Sequence, residues 1–123
     1  MPLSPTTPVA LIVESNIALQ ALWRRQLDFL GMAVHFVNKT EAIGDSSLLP
    51  QADWVVLDDI EFFPWVPQLL MSYPRLRVIM MSWDKELGEF LPNFQRLTFC
   101  PKSSLKDCRA LAQTFSLPLH ASP

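Results

Sequence analysis

The sequence predicts an α/β protein with a doubly wound, five-stranded parallel sheet and helices on both faces, a flavodoxin-like arrangement. Three observations predict it. Short apolar, β-branched runs recur along the chain, and runs this short and apolar read as strands buried on both faces. Helical stretches separate them, and strand–helix alternation implies parallel strands joined by crossovers. Several of the runs end in polar or charged residues: Glu14-Ser15, Asp58-Asp59, Ser82 and, one residue on, Lys102. In open α/β sheets, chemistry gathers beyond the carboxyl ends of the strands.

Size and composition fit one domain. The chain has 123 residues, half of them hydrophobic and 18% charged, so a packed core is expected and wholesale disorder is not. Residues 1–8, rich in Pro, Ser and Thr, read as a flexible lead-in, 9–115 as the folded domain, and 116–123 as a tail or linker. A net charge of −2 leaves no electrostatic footprint for nucleic acid. Arg24-Arg25 is the one adjacent basic pair and reads as a solvated helix face. No apolar stretch reaches the ~18–20 residues of a membrane span, and no secretory signal is evident. Cys100 and Cys108 fit neither a disulfide framework nor a zinc spacing, which points to a reducing, cytoplasmic setting. Eleven prolines against three glycines act mainly as stops between elements.

The elements follow in order. Residues 9–13 form the first strand, and Ser15 or Asn16 caps a helix over 17–30. Its Leu19, Leu22, Trp23, Leu27 and Leu30 recur at three- and four-residue spacing, and Gly31 ends it. Residues 32–37 alternate as a strand, with Val34 and Phe36 opposite His35. A weak helix over 41–49 is broken by Pro50, and the third strand, 54–57, ends at Asp58-Asp59. A helix over 65–72 carries Pro67 in its first turn. The strand 77–81 leads to Ser82, and a short helix over 85–91 stops at Pro92. The strand 97–100 runs into Pro101-Lys102. Ser103 or Ser104 then caps a last helix over 105–115, with Leu105, Cys108, Leu111, Ala112 and Phe115 inward.

An acidic residue after strand one, Asp58 after strand three, Ser82 after strand four and Lys102 after strand five form an ordered set. Asp53 to Asp58 reads Asp, three apolar residues, Leu, Asp. In these features the stretch 9–115 resembles the receiver domain of response regulators in two-component signalling. The resemblance implies receiver topology and a phosphoryl group accepted on Asp58. Mg2+ would be held by Glu14, Asp58, the backbone carbonyl of Ile60 and, through its extra carboxylate, Asp59. Lys102 would pair with a phosphoryl oxygen, and Ser82 and Phe99 would form the switch. The implied partners are a histidine kinase or phosphotransfer protein. A second copy would bind through the face of helix four, strand five and helix five (85–91, 97–100, 105–115). No direct nucleic-acid or membrane contact is implied, and no enzymatic activity beyond the chain's own phosphorylation.

The chain also departs from that pattern. Ser15 stands where receivers carry the second acidic residue, and a hydroxyl is a poorer magnesium ligand than a carboxylate. The loop Glu61-Phe62-Phe63-Pro64-Trp65 is bulkier than the family's, Trp83 replaces a small residue, and proline precedes Lys102 instead of following it. These departures point to a partly degenerate acidic pocket, in the extreme a pseudo-receiver that binds protein partners without phosphate. Two other classes of function share this fold. A phosphorylation-independent interaction module keeps the fold without the chemistry. An enzyme on a flavodoxin-like sheet needs a phosphate-cradling loop after strand one, for which Glu14-Ser15-Asn16 is too short and too acidic. His35 and His120 read as surface residues. Trp65 and Trp83, near the pocket, read as core or as a partner surface.

Overall fold

The computed structural model describes residues 7–38, 48–58, 60–91 and 94–115. The strands are β1 (Val9–Ile12), β2 (Ala33–Phe36), β3 (Trp54–Leu57), β4 (Arg77–Ser82) and β5 (Leu97–Pro101), and the helices are α1 (Ile17–Phe29), α2 (Val66–Ser72), α3 (Leu87–Phe90) and α4 (Cys108–Thr114). All strand pairs are parallel, in the order β2-β1-β3-β4-β5. This is the predicted doubly wound sheet. All four residues of the central strand β3 are buried, as its unbroken apolar run requires. The edge strand β5 ends at Pro101, and an edge tolerates a residue that lacks the ladder's N–H.

Alternation along the strands divides the core between the two faces. Ala10, Ile12, Trp54, Val56, Ile79 and Met81 pack under α1 and α4, joined by Trp23, Leu27, Leu111, Ala112 and Phe115. Leu11, Val55, Leu57, Val78 and Met80 pack on the other face with Val66 and Leu69 of α2. The predicted inward positions of the first and last helices all lie in the first cluster. Among the described residues, no helix is long and apolar enough to cross a membrane.

Local chemistry explains the helix ends. Asn16, not Ser15, caps α1 by accepting from the Leu19 N–H at 3.1 Å. At the other end Gly31 takes φ +82, its N–H bonds to Asp28 O, and the Met32 N–H bonds to Leu27 O. Both bonds of the Schellman motif are present, and its left-handed residue is a glycine.

The remaining helices are shorter than predicted. The stretch Ile60–Trp65 forms 3-10 turns around Pro64, so the α-helix starts only at Val66. The helix expected over 85–91 is one turn, Leu87–Phe90. The one expected over 105–115 divides into a 3-10 turn, Lys102–Lys106, and α4. The cap there is Asp107, whose carboxylate accepts from the N–H groups of both Arg109 and Ala110. A charged acceptor with two donors is a better cap than Ser103 or Ser104, and it sets the start of α4. Pro50 lies inside a 3-10 turn, Leu49–Gln51, and most of the helix expected at 41–49 lies outside the described residues.

One contact fixes how α3 sits on the sheet. A methyl group added at Gly88 would stand 2.7 Å from Cδ2 of Phe99, so the Phe99 ring rests on the bare glycine backbone. Gly88→Ala is expected to cost about 1–3 kcal/mol, the range for overpacking, despite alanine's better helix propensity. Combining it with Phe99→Leu should recover most of that loss in a urea-denaturation double-mutant cycle. Additive losses would show that the two residues do not press on each other.

Candidate functional site

The carboxyl edge of the sheet brings three of the predicted residues together. Glu14 follows β1, Asp58 follows β3, and Lys102 follows β5. The Lys102 ammonium lies 3.1 Å from Glu14 Oε1 and 3.7 Å from Asp58 Oδ2. The 3-10 turn that begins at Lys102 carries the side chain inward, so the preceding Pro101 does not prevent it from reaching the acids. Glu14 and Lys102 are the two buried charged residues among those described. Asp58 differs, since its side chain keeps 23% of its exposure. A charge survives burial only when it is paired, and here one ammonium serves two carboxylates.

Glu14 is held from the α1 side as well. Its Oε2 accepts from the Asn16 N–H at 3.3 Å, and its backbone carbonyl accepts from the Gln20 side-chain amide. Its Oε1 accepts no aligned hydrogen bond, so its contact with Lys102 is an ion pair by proximity. Ser15 is exposed.

Ser82 ends β4 beside Pro101 in the ladder, which sets it at the same edge as Lys102. Its Oγ accepts from the Asp84 N–H at 3.0 Å, and Asp84 Oδ1 accepts from the Glu86 N–H at 2.9 Å. Ser82 thus starts the turn into α3 while its hydroxyl proton stays available as a donor. Trp83 is 61% exposed, and its ring centroid lies 5.9 Å from the Lys102 ammonium, so the indole stands over the lysine. Phe99 is half-buried against α3, and Ile60 opens the turn after β3 and Asp58. Asp59 lies outside the described residues.

Magnesium is held by one or two carboxylates together with water and phosphate oxygens, not by an all-protein cage. Glu14 and Asp58 supply that minimum, although Glu14 Oε1, which accepts no aligned hydrogen bond, is already ion-paired with Lys102. Among the described residues no group of three or more His, Cys, Asp or Glu side chains converges. The residues therefore fit a magnesium ion only if it shares both carboxylates with Lys102.

Sequence reasoning missed Arg96. Its guanidinium donates to the carbonyls of Leu70, Tyr73 and Leu76, which ties the end of α2 to the start of β5. No local pattern marks it, because its acceptors lie 20 to 26 residues away. Cys100 is buried as expected, whereas Cys108 is only partly so. Burial and then the Asp107 carboxylate raise the Cys108 thiol above its usual pKa, which disfavours the reactive thiolate.

Neither family models nor curated proteins give a match to this chain. Solved structures do. An orphan response regulator of H. pylori, HP1043, aligns with a TM-score of 0.67 at 17% identity, over 87% of this chain and 94% of its own. A response regulator from Thermotoga maritima aligns at 0.62 and 18% identity, over 88% of this chain and 99% of its own. A de novo designed Rossmann 2x3 protein aligns at 0.65 and 13% identity, over 95% and 97%. A designed protein among such neighbours underlines that likeness at this identity concerns architecture. The chain has a receiver-like α/β fold.

Proposed function

We propose that this chain is a receiver-like signalling module in which Asp58 accepts a phosphoryl group from a phosphohistidine on a kinase or phosphotransfer partner. One observation carries the reading. Of the two carboxylates gathered on Lys102, Asp58 is the one that solvent, and hence a donor, can reach. In the transfer, an Asp58 oxygen forms a bond to phosphorus while the phosphorus–nitrogen bond breaks, and the imidazole leaves with the electron pair. Bound magnesium would neutralise charge on the phosphoryl group. Lys102 stays beside the reacting oxygens as the protein's own cation, and Ser82 offers its hydroxyl proton to the phosphoryl oxygen. Movement of Ser82 would pull on the turn into α3, and Phe99 would follow by leaving its seat on Gly88. The readout face is then α3, β5 and α4, where a protein partner or a second copy docks, in a cytoplasmic setting.

A second reading has an observation of its own. Trp83 covers Lys102, and Ser15 leaves the pocket one carboxylate short. A pocket closed in this way would serve as a pseudo-receiver whose partners bind without phosphate.

Tryptophan fluorescence with magnesium and beryllofluoride, a phosphoryl mimic, separates the two. Filling the pocket should change the emission of Trp83, and Trp83→Phe should remove most of that change. No response at millimolar magnesium would favour the pseudo-receiver.

A further inference from the structure

The opposite, amino-terminal edge of the sheet carries a second feature. A cavity of about 660 Å³ opens there, where β3, β4 and β5 begin and α4 ends. Its wall includes Trp54, Arg75, Arg77, Arg96, Thr98 and Thr114 and, among the described residues, no Asp or Glu. Trp54 and Arg77 are partners in the β3–β4 ladder, and the Arg77 guanidinium lies 5.3 Å from the Trp54 ring centroid. The ring fixes the position of that cation from below.

Among the described residues, no carboxylate forms an ion pair with an arginine of this wall. Arg96 is bound only by neutral backbone carbonyls, which leave its charge intact. Asp53 lines the adjoining groove with Arg75 and Arg77 and accepts from the Val9 N–H at 2.8 Å, so its negative charge stands beside the cavity and not on its wall. Three arginines therefore line one concave wall in a chain whose net charge is −2. A cleft lined by one sign of charge focuses its field on counter-ions. The planar forks of arginine match phosphate and carboxylate oxygens. The volume falls within the ~300–1,000 Å³ of small-molecule sites. We propose that this cavity binds a small polyanion carrying phosphate or carboxylate oxygens, independently of events at Asp58.

Isothermal titration of the 123-residue chain with pyrophosphate and, separately, with citrate tests this. Saturable binding of at least one, weakening as salt rises, is expected. Tighter binding of pyrophosphate assigns the site to phosphate esters, and tighter binding of citrate assigns it to polycarboxylates. The double variant Arg75→Gln/Arg77→Gln should weaken binding at least about tenfold, whereas Arg24→Gln/Arg25→Gln, which removes the same charge elsewhere, should not. Amide shift mapping on the unmodified chain gives a readout free of folding effects, with changes expected at Arg77, Thr98 and Thr114. The proposal is overturned if neither anion saturates, if both double variants weaken binding equally, or if the shifts map to the Asp58 edge.

Discussion

Lys102→Met is expected to lower stability by about 3–5 kcal/mol, the range seen when a buried ion pair loses one partner. Methionine keeps the unbranched apolar stem of the side chain and removes the ammonium group. Glu14 and Asp58 would then face each other without the ammonium that lies 3.1 and 3.7 Å from them. Glu14→Gln should cost less, since Lys102 keeps Asp58 as a partner. The double variant Glu14→Gln/Lys102→Met should recover part of the loss, because it leaves no pair of facing charges. Urea denaturation gives the comparison directly. A loss below about 1 kcal/mol would mean that the pair is screened as a surface pair is. The same variants probe the metal site. Millimolar magnesium should stabilise Lys102→Met more than the unmodified chain, because the ion then has no competitor for the two carboxylates.

Phe115→Ala is the second large loss, also about 3–5 kcal/mol, the range for truncating a buried phenylalanine. Phe115 is 2% exposed, and its ring meets Trp54 edge-on at 5.1 Å and Trp23 at 6.5 Å. It joins α4 to the sheet and to α1. Removing it leaves a cavity between two rigid rings that cannot easily collapse into it. Phe115→Leu should recover a good part of the loss and so separate lost volume from lost ring geometry. The measurement is again the urea midpoint, read with the slope to confirm that cooperativity is kept.

The strands were legible because each is a short run with little ambiguity of face. Trp54-Val55-Val56-Leu57 is apolar throughout, and only a central parallel strand buries such a run. The first helix was legible from its spacing and its terminal Gly31. The last helix was displaced because Asp107, and not the expected Ser103 or Ser104, caps it. The convergence of Glu14, Asp58 and Lys102 at one edge followed from strand order. Their unequal burial did not, because it depends on how α1 and the turn after β5 pack over the pocket. Arg75, Arg77 and Arg96 form no adjacent run, and the pairing of β3, β4 and β5 brings them to one wall. Charge counted along the chain therefore missed a basic cavity that charge placed in space reveals.

The most direct test of Asp58 as acceptor is intact mass after incubation with a small phosphodonor across a magnesium titration, with Asp58→Asn measured in parallel. The expected result is a gain of one phosphoryl group by the unmodified chain, dependent on magnesium, and no gain by Asp58→Asn. No gain at any magnesium concentration, or an equal gain by Asp58→Asn, would contradict it.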